Sequence, residues 1–241
     1  MSAAHTATAV EKLESDGFLH DFFSSSEGDP QRSIQGWEEF AGTWSDLRPD
    51  TYMADGGNYR LRRYSEFSMT AASGEFELLP HVPYSQDKSV NHLNGGISRS
   101  YKPFSDEAVA SPVLAGIFEK CGVYLESVRP GESWRAQCFQ NRILTSVGEV
   151  GQPAPEGIHR DGVDYVLTFF VDRVGAEGGE SSVYLASNRS KVDEVQLSQP
   201  GEYLFVDDHK LLHDVTGLTL ADNSDQGHRD VLIAMFSVIS D

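Results

Sequence analysis

A mainly β protein, built as an antiparallel sandwich or barrel with helices gathered in its N-terminal half, is what this sequence predicts. Three observations carry the expectation. Seven short segments rich in β-branched and aromatic residues recur between Tyr59 and Ile239. Glycine- or proline-containing breaks such as "GAEGGE" and "SQPG" separate many of them, which is the punctuation of turns between strands. No helical periodicity interrupts the second half, so the strands there are expected to be connected antiparallel.

Taken in order, residues 6–16 read as a short amphipathic helix with Val10 and Leu13 on one side and Gly17 as its stop. Asp29-Pro30 places a capping side chain before a first-turn proline, a helix start. From there Ile34, Trp37, Phe40, Ala41 and Trp44 recur at spacings of three and four, so one buried stripe is expected. Strands follow at "YRLRRYSEF" (59–67) and "GEFELL" (74–79), and "VNHLNGG" reads as a loop turning at Gly95-Gly96. Ser111-Pro112 opens another helix with Val113, Leu114, Ile117, Phe118 and Cys121 inward. The remaining strands are "WRAQCFQNRILT" (134–145), "VDYVLTFFV" (163–171), "SSVYLA" (181–186), "GEYLFV" (201–206) and "RDVLIAMFSVI" (229–239). The aromatic stripes are core packing. "GAEGGE" is expected to be a hairpin turn rather than a phosphate cradle, since no strand–glycine–helix order surrounds it. Nothing divides the chain, so a single domain over 1–241 is expected. Residues 1–130 would give helical support and outer strands, and 131–241 the core strands with the functional site.

Composition narrows the function. With 39% apolar and 10% aromatic residues in 241, the chain can bury a large core. Nineteen Lys and Arg against 37 Asp and Glu leave a net charge of −18. Such a field repels polyphosphate, so neither nucleic acid nor anionic membrane is an expected partner. Cys121 and Cys138 are too few for a disulfide framework or a zinc knuckle and read as small hydrophobes. "MSAAHTATAVEKLESDGF" lacks the basic start and apolar core of a signal peptide. No segment approaches the roughly 18 apolar residues of a membrane span. A cytoplasmic protein acting on a small molecule, as monomer or homodimer, is the expectation.

The stretch "EGIHRDGVDYVLTFFV" (156–171) sets two metal-competent side chains at the mouth of an apolar run. Side chains alternate faces along a strand, so an extended backbone would present His159 and Asp161 together. An H-x-D pair alone is weak; a third ligand from a distant strand would complete it. His213, in "KLLHDVTGL", is an odd choice for an apolar core unless something binds it. Two imidazoles and one carboxylate that leave three positions open make the facial triad suited to non-haem Fe(II). Arg229 begins the last apolar run. An arginine pointing into a barrel is costly without an anion, and a guanidinium meets a carboxylate through two parallel hydrogen bonds. It is expected to receive the far carboxylate of a metal-chelating cosubstrate.

The order His159-x-Asp161, His213, Arg229 resembles the Fe(II)/2-oxoglutarate dioxygenase pattern on a double-stranded β-helix, a cupin-like jelly roll. More narrowly, the chain is similar to the bacterial free L-amino-acid hydroxylases of the isoleucine 4-hydroxylase type. The stretches that carry the likeness are "DTYMADGGNYRLRRYSEF", "VNHLNGGISRSY", "FQNR", "GIHRDGVD" and "HRDVLIAMFS", spread over most of residues 45–240. The resemblance implies Fe(II) held by His159, Asp161 and His213, 2-oxoglutarate anchored by Arg229, and O2. It implies hydroxylation of a C–H bond of a small free L-amino acid or close derivative, with release of succinate and CO2. Halogenating relatives lack the carboxylate ligand, so the presence of Asp161 argues against a halogenase.

Other candidates are weighed beside the triad. Gln140 and Arg142 share a strand face with Cys138 and Trp134, and are expected either to hold the substrate's carboxylate and amine or to meet solvent. Arg60, Arg62 and Tyr64 fall on one strand face, and Arg63 on the other. One of them, Arg62 by preference, would clamp the substrate carboxylate, and the other two would be exposed. His81, Asn91, His92 and Asn94 could reach the site mouth. His209, Asp207 and Asp208 read as turn residues, with the aspartates as candidate partners of the metal histidines. Arg160 should point outward. The rival readings are a cupin-type metal-dependent isomerase or hydrolase, for which Arg229 would have no use, and a non-catalytic metabolite-binding jelly roll.

Overall fold

The computed structural model describes residues 3–23, 34–93 and 95–239. Helix α1 (Ala3–Asp16) stops at Gly17 and runs straight into strand β1 (Phe18–Phe22). Asp29 and Pro30, read as a helix start, lie outside the described residues. The stripe that follows is not one helix but α2 (Trp37–Gly42) and a 3-10 turn (Thr43–Asp46). The Thr43 hydroxyl turns back on the Phe40 carbonyl at 2.7 Å where the chain tightens. Trp37, Phe40 and Trp44 are buried all the same. Strands β2 (Arg48–Pro49), β3 (Arg60–Thr70) and β4 (Phe76–Leu78) come next, then helices α3 (Asp106–Val109) and α4 (Pro112–Val128). At the start of α4 the Ser111 hydroxyl accepts the Val113 N–H, as its cap sequence predicts.

The second half is all strand: β5 (Ser133–Ser146), β6 (Tyr165–Val174), β7 (Ala176–Gly178), β8 (Ser181–Leu185), β9 (Lys191–Val195), β10 (Glu202–Asp207), β11 (Leu211–Val215), β12 (Leu218–Leu220) and β13 (Gln226–Val238). The large antiparallel sheet has the order β1-β10-β6-β13-β5-β3-β2, with β4 on β3. Two small sheets, β11-β8-β9 and β12-β7, complete a jelly roll. "GAEGGE" is more than a hairpin turn, since its Ala176–Gly178 pairs with β12. Strands β7 and β12 are too short for a periodic signal, and β9, "KVDEV", is mostly exposed and polar.

Both faces of the large sheet are covered, and residue parity decides which face a side chain joins. On the outer face Cys138, Leu167, Phe169, Tyr203, Phe205, Leu232, Ala234 and Phe236 pack with the helices in the main core. On the inner face Phe170, Leu204 and Val206 meet Val183, Val195 and Leu211 of the small sheet. The two cysteines are free, and burial pushes the Cys121 thiol up to about 12. Among the described residues no helix is long and apolar enough to cross a membrane.

Candidate metal and carboxylate site

Between the sheets lies a cavity of about 110 Å3, room for several waters or a small organic molecule. Its floor is the inner face of the large sheet: Arg60 and Arg62 of β3, Phe139, Asn141 and Ile143 of β5, Val166 and Thr168 of β6, and Arg229, Val231, Ile233 and Met235 of β13. The register sets Ile143 between Arg60 on one side and Arg229 on the other.

His159, Asp161 and His213 converge over this floor. Ligand atoms from all three lie within 4.8 Å of one another. His213 Nε2 is 3.3 Å from Asp161 Oδ2, and His159 Nε2 is 3.9 Å from Asp161 Oδ1. Cis donors at roughly 2.1 Å from an octahedral ion stand about 3 Å apart, so small side-chain adjustments bring the three onto one ion. The geometry differs from an H-x-D at the head of a strand. His159 and His213 exchange backbone hydrogen bonds at 2.9 Å in both directions as an isolated bridge, and Asp161 sits in the turn before β6. Gly162 supplies that turn with φ +78°, and a Cβ there would stand 2.8 Å from Val90.

The surroundings of the triad hold it in place. His159 Nδ1 lies 2.7 Å from the Gly157 carbonyl, which fixes the ring and leaves Nε2 for a metal. Asp208, read as a turn or solvated residue, is buried and accepts the N–H groups of Asp161, Gly162 and Val163 at 3.1, 2.7 and 3.1 Å. Its Oδ1 also lies 3.9 Å from His213 Nδ1. Gln86 Nε2 donates to the Asp161 carbonyl at 3.0 Å. Burial alone would raise the Asp161 carboxyl, but the hydrogen bond and charge of His213, with His159, bring it down to about 2. Burial would lower His213, and Asp161 followed by Asp208 raises it instead. The charged forms of Asp161 and His213 thus stabilise one another, an arrangement a cation can replace.

Arg229 is buried in the same cavity, its guanidinium over the Phe170 ring at 5.8 Å. Gly179 of "GAEGGE", at φ +75°, makes room for it, because a Cβ there would stand 3.0 Å from Arg229 Cδ. Nε and Nη2 of Arg229 have no hydrogen-bond partner among the described residues. Those two nitrogens are the edge that grips a carboxylate in parallel. Burial, then the neighbouring Arg173, drags the group down to about 9. A guanidinium stays charged inside proteins, so this downward pull reflects a buried cation with no ion-pair partner among the described residues.

Of the other sequence candidates, Arg62 lines the cavity, while Gln140 and Arg142 do not. The latter two project from the opposite face of β5. Gln140 Nε2 donates to Thr43 Oγ1 at 2.7 Å, and Arg142 forks onto Asp230 at 2.7 and 2.6 Å. None of the three arginines of "RLRRY" is exposed. Arg60 donates to Asp50 at 2.8 and 2.9 Å, Arg62 Nε lies 3.3 Å from the same oxygen, and Arg63 is paired with Asp46. Asn91 lines the cavity; His81 and His92 do not, and Asn94 lies outside the described residues. His209 is an exposed turn residue 2.9 Å from Asp164, and Arg160 is half-buried outside the cavity lining. Sequence reasoning missed Tyr84, Arg99, Asn141 and Glu156, all of which line the cavity. Parity could have found Asn141, which alternates with Phe139 and Ile143.

Known proteins resemble this chain in sequence and fold. The family described as 2OG-Fe dioxygenase matches residues 41–235. The 3(1)-hydroxy-L-isoleucine 4-dioxygenase of Pantoea ananatis (strain AJ13355) is 29% identical over 209 residues, 83% of this chain and 80% of that protein. The L-isoleucine-4-hydroxylase of Bacillus thuringiensis is 23% identical over 98% of this chain and 97% of that protein. Among solved structures, a bsmA homolog from Methylobium petroleophilum PM1 has a TM-score of 0.84 at 31% identity, over 96% of this chain and 92% of that one. IDO from Bacillus thuringiensis has a TM-score of 0.79 at 20% identity, over 100% and 98% of the two chains, a likeness of fold. The His-Asp-His donors and the unpartnered Arg229 edge suit Fe(II) and 2-oxoglutarate, which with O2 are what such enzymes use. This chain belongs to the 2OG-Fe dioxygenase family.

Proposed function

We propose that the protein hydroxylates an unactivated C–H bond of a small free L-amino acid or a close derivative, releasing succinate and CO2. One observation carries the reading: a buried arginine edge without a partner among the described residues shares a cavity with two imidazoles and a carboxylate. In this reading His159, Asp161 and His213 hold Fe(II), and Arg229 takes the far carboxylate of 2-oxoglutarate. Arg62, stacked on Phe139 with its guanidinium 4.8 Å from the ring centroid, faces the substrate. The amino-acid class is supported by the names of the relatives, both of which act on isoleucine or its hydroxy form.

When bound, the iron with 2-oxoglutarate and O2 supplies the oxidising power. The chain's own work is positional. The Gly157 carbonyl keeps the His159 proton on Nδ1, and Asp208 holds the backbone that carries Asp161. Val166, Val231, Ile233 and Met235 line the floor with apolar surface, which keeps water from the reacting centre. The carbon nearest the metal is chosen by how the substrate's charged ends are pinned. The test is Fe(II)-dependent succinate formation from 2-oxoglutarate, stimulated by an L-amino acid that gains the mass of one oxygen. Tight zinc binding without Fe(II)-dependent succinate would select an isomerase or hydrolase instead.

A further inference from the structure

Besides Arg229, Arg60 and Arg62, the cavity is lined by Arg99 and Glu156, a cation and an anion that the metal and cosubstrate do not use. Arg99 is 3% exposed, and its guanidinium stacks on Tyr84 at 4.7 Å from the ring centroid. Its Nε and Nη2 lack a hydrogen-bond partner among the described residues, the same two nitrogens as in Arg229. Arg142 shows what that edge does when a carboxylate is present, since its Nε and Nη2 grip the two Asp230 oxygens at 2.7 and 2.6 Å. Arg62 lines the same cavity and shares the single carboxylate of Asp50 with Arg60. Buried guanidinium nitrogens without a partner call for an anion. Arg229 accounts for one carboxylate, and Arg99 with Arg62 calls for another.

Glu156 is the opposite case. It lines the cavity, its Oε1 accepts Asn91 Nδ2 at 3.2 Å, and its buried Oε2 has no partner among the described residues. A buried carboxylate oxygen without a donor needs one, and an ammonium group carries three. Arg99 and Asn91 belong to one segment. The backbones of Tyr84 and Arg99 exchange hydrogen bonds at 2.9 and 2.8 Å, and Gln86 ties the segment to the Asp161 carbonyl. One wall of the cavity, docked against the metal-ligand turn, therefore presents a cationic fork and a hydrogen-bonded carboxylate.

We infer that this wall reads a zwitterion: Arg99, with Arg62, takes the substrate's α-carboxylate, and Glu156 takes its α-ammonium. The inference rests on the proposed amino-acid hydroxylase and adds that both ends of the substrate must be free and charged. N-acylated amino acids, amino-acid amides and 2-oxo acids would be excluded by leaving one buried charge unmatched.

The experiment uses the full chain with Fe(II) and 2-oxoglutarate. Succinate formation is measured with each of the twenty proteinogenic amino acids and with their free hydroxy derivatives. The best of them is then compared with its N-acetyl and carboxamide forms. The unsubstituted protein should lose about 100-fold or more in kcat/KM with either derivative. Glu156→Gln and Arg99→Gln should each raise the amino-acid KM by about tenfold or more, with the KM for 2-oxoglutarate unchanged. Calorimetric titration of the Mn(II)-loaded variants with that amino acid should show the same weakening. Equal turnover of the N-acetyl form, or an unchanged amino-acid affinity in Glu156→Gln, overturns the ammonium assignment. Equal turnover of the carboxamide overturns the carboxylate assignment. If no amino acid stimulates succinate formation while Fe(II)-dependent background turnover persists, the amino-acid reading itself fails and takes this inference with it.

Discussion

The two faces of β5 put the same kinds of side chain to opposite uses. On the outer face Arg142 meets its register partner Asp230, and the pair closes on itself with two short hydrogen bonds. On the inner face Phe139, Asn141 and Ile143 floor the cavity, and beside them Arg229, the residue next to Asp230, offers the same guanidinium edge to no group among the described residues. The outer arginine is satisfied within the fold. The inner one is complete only with a ligand. A guanidinium is therefore read by what faces it, and a shift of one residue along a strand is enough to change the answer.

Breaking the metal triad has the largest expected effect, because it removes what both readings of the cavity require. Asp161→Ala should abolish Fe(II)-dependent succinate formation and weaken Fe(II) or Mn(II) binding by at least about 100-fold, as measured by calorimetry. Next comes the pair of arginines, where the comparison is sharpest. Arg229→Met should raise the KM for 2-oxoglutarate by about 30-fold or more, the loss of a buried charge-assisted fork. The ligand-free protein should be no less stable, since an uncompensated buried cation is gone. Arg142→Met should do the reverse. It strands Asp230, which is almost fully buried, and should cost about 2 kcal/mol or more of stability with no change in that KM.

The Arg142 variant also carries a pH signature. Burial already raises the Asp230 carboxyl even with Arg142 beside it, and without the arginine it rises further. A carboxyl whose folded pKa lies above its unfolded value penalises the fold while ionised, and the penalty fades as pH falls through the folded pKa. The loss in Arg142→Met should accordingly be greatest at neutral pH and shrink as the pH is lowered, read from thermal midpoints. A loss that grew as the pH dropped would mean that Asp230 is not the group left stranded.

These contrasts also mark what was legible in the sequence. His159, Asp161, His213 and Arg229 stood out because each is a strongly polar residue inside or beside an apolar run, and such residues are expensive without a partner. The long strands β3, β5, β6 and β13 announced themselves by composition. Parity on β5 did not, because helices cover one face of the large sheet and the small sheets the other, so neither face reads as solvent-facing. Gln140 and Arg142 looked like pocket residues for that reason, and Asn141 was passed over. Arg99 and Glu156 lie outside the named strands, where no period assigns a direction to a side chain. Asp208 was disguised by its neighbours in "DDHK", which do form a turn, although its own carboxylate points back to the backbone at 161–163.

Asp208 supplies an intermediate effect. Asp208→Ala should weaken metal binding by about 10- to 100-fold, the range for groups that orient ligands without touching the metal. The loss should arise through the turn that carries Asp161 rather than through the substrate. The KM for the amino acid, measured at saturating Fe(II), should change little.

The smallest expected effect belongs to Gln140, and it tests the outer face directly. Its amide donates to Thr43 and packs among the helices rather than in the cavity. Gln140→Leu removes one neutral hydrogen bond worth about 1 kcal/mol. It also removes a buried amide oxygen that has no partner among the described residues. The two changes oppose each other, so stability should move by less than about 1 kcal/mol. Neither the KM for 2-oxoglutarate nor that for the amino acid should move at all. A several-fold rise in the amino-acid KM would place Gln140 against the substrate, and the assignment of β5's two faces would then have to be reversed.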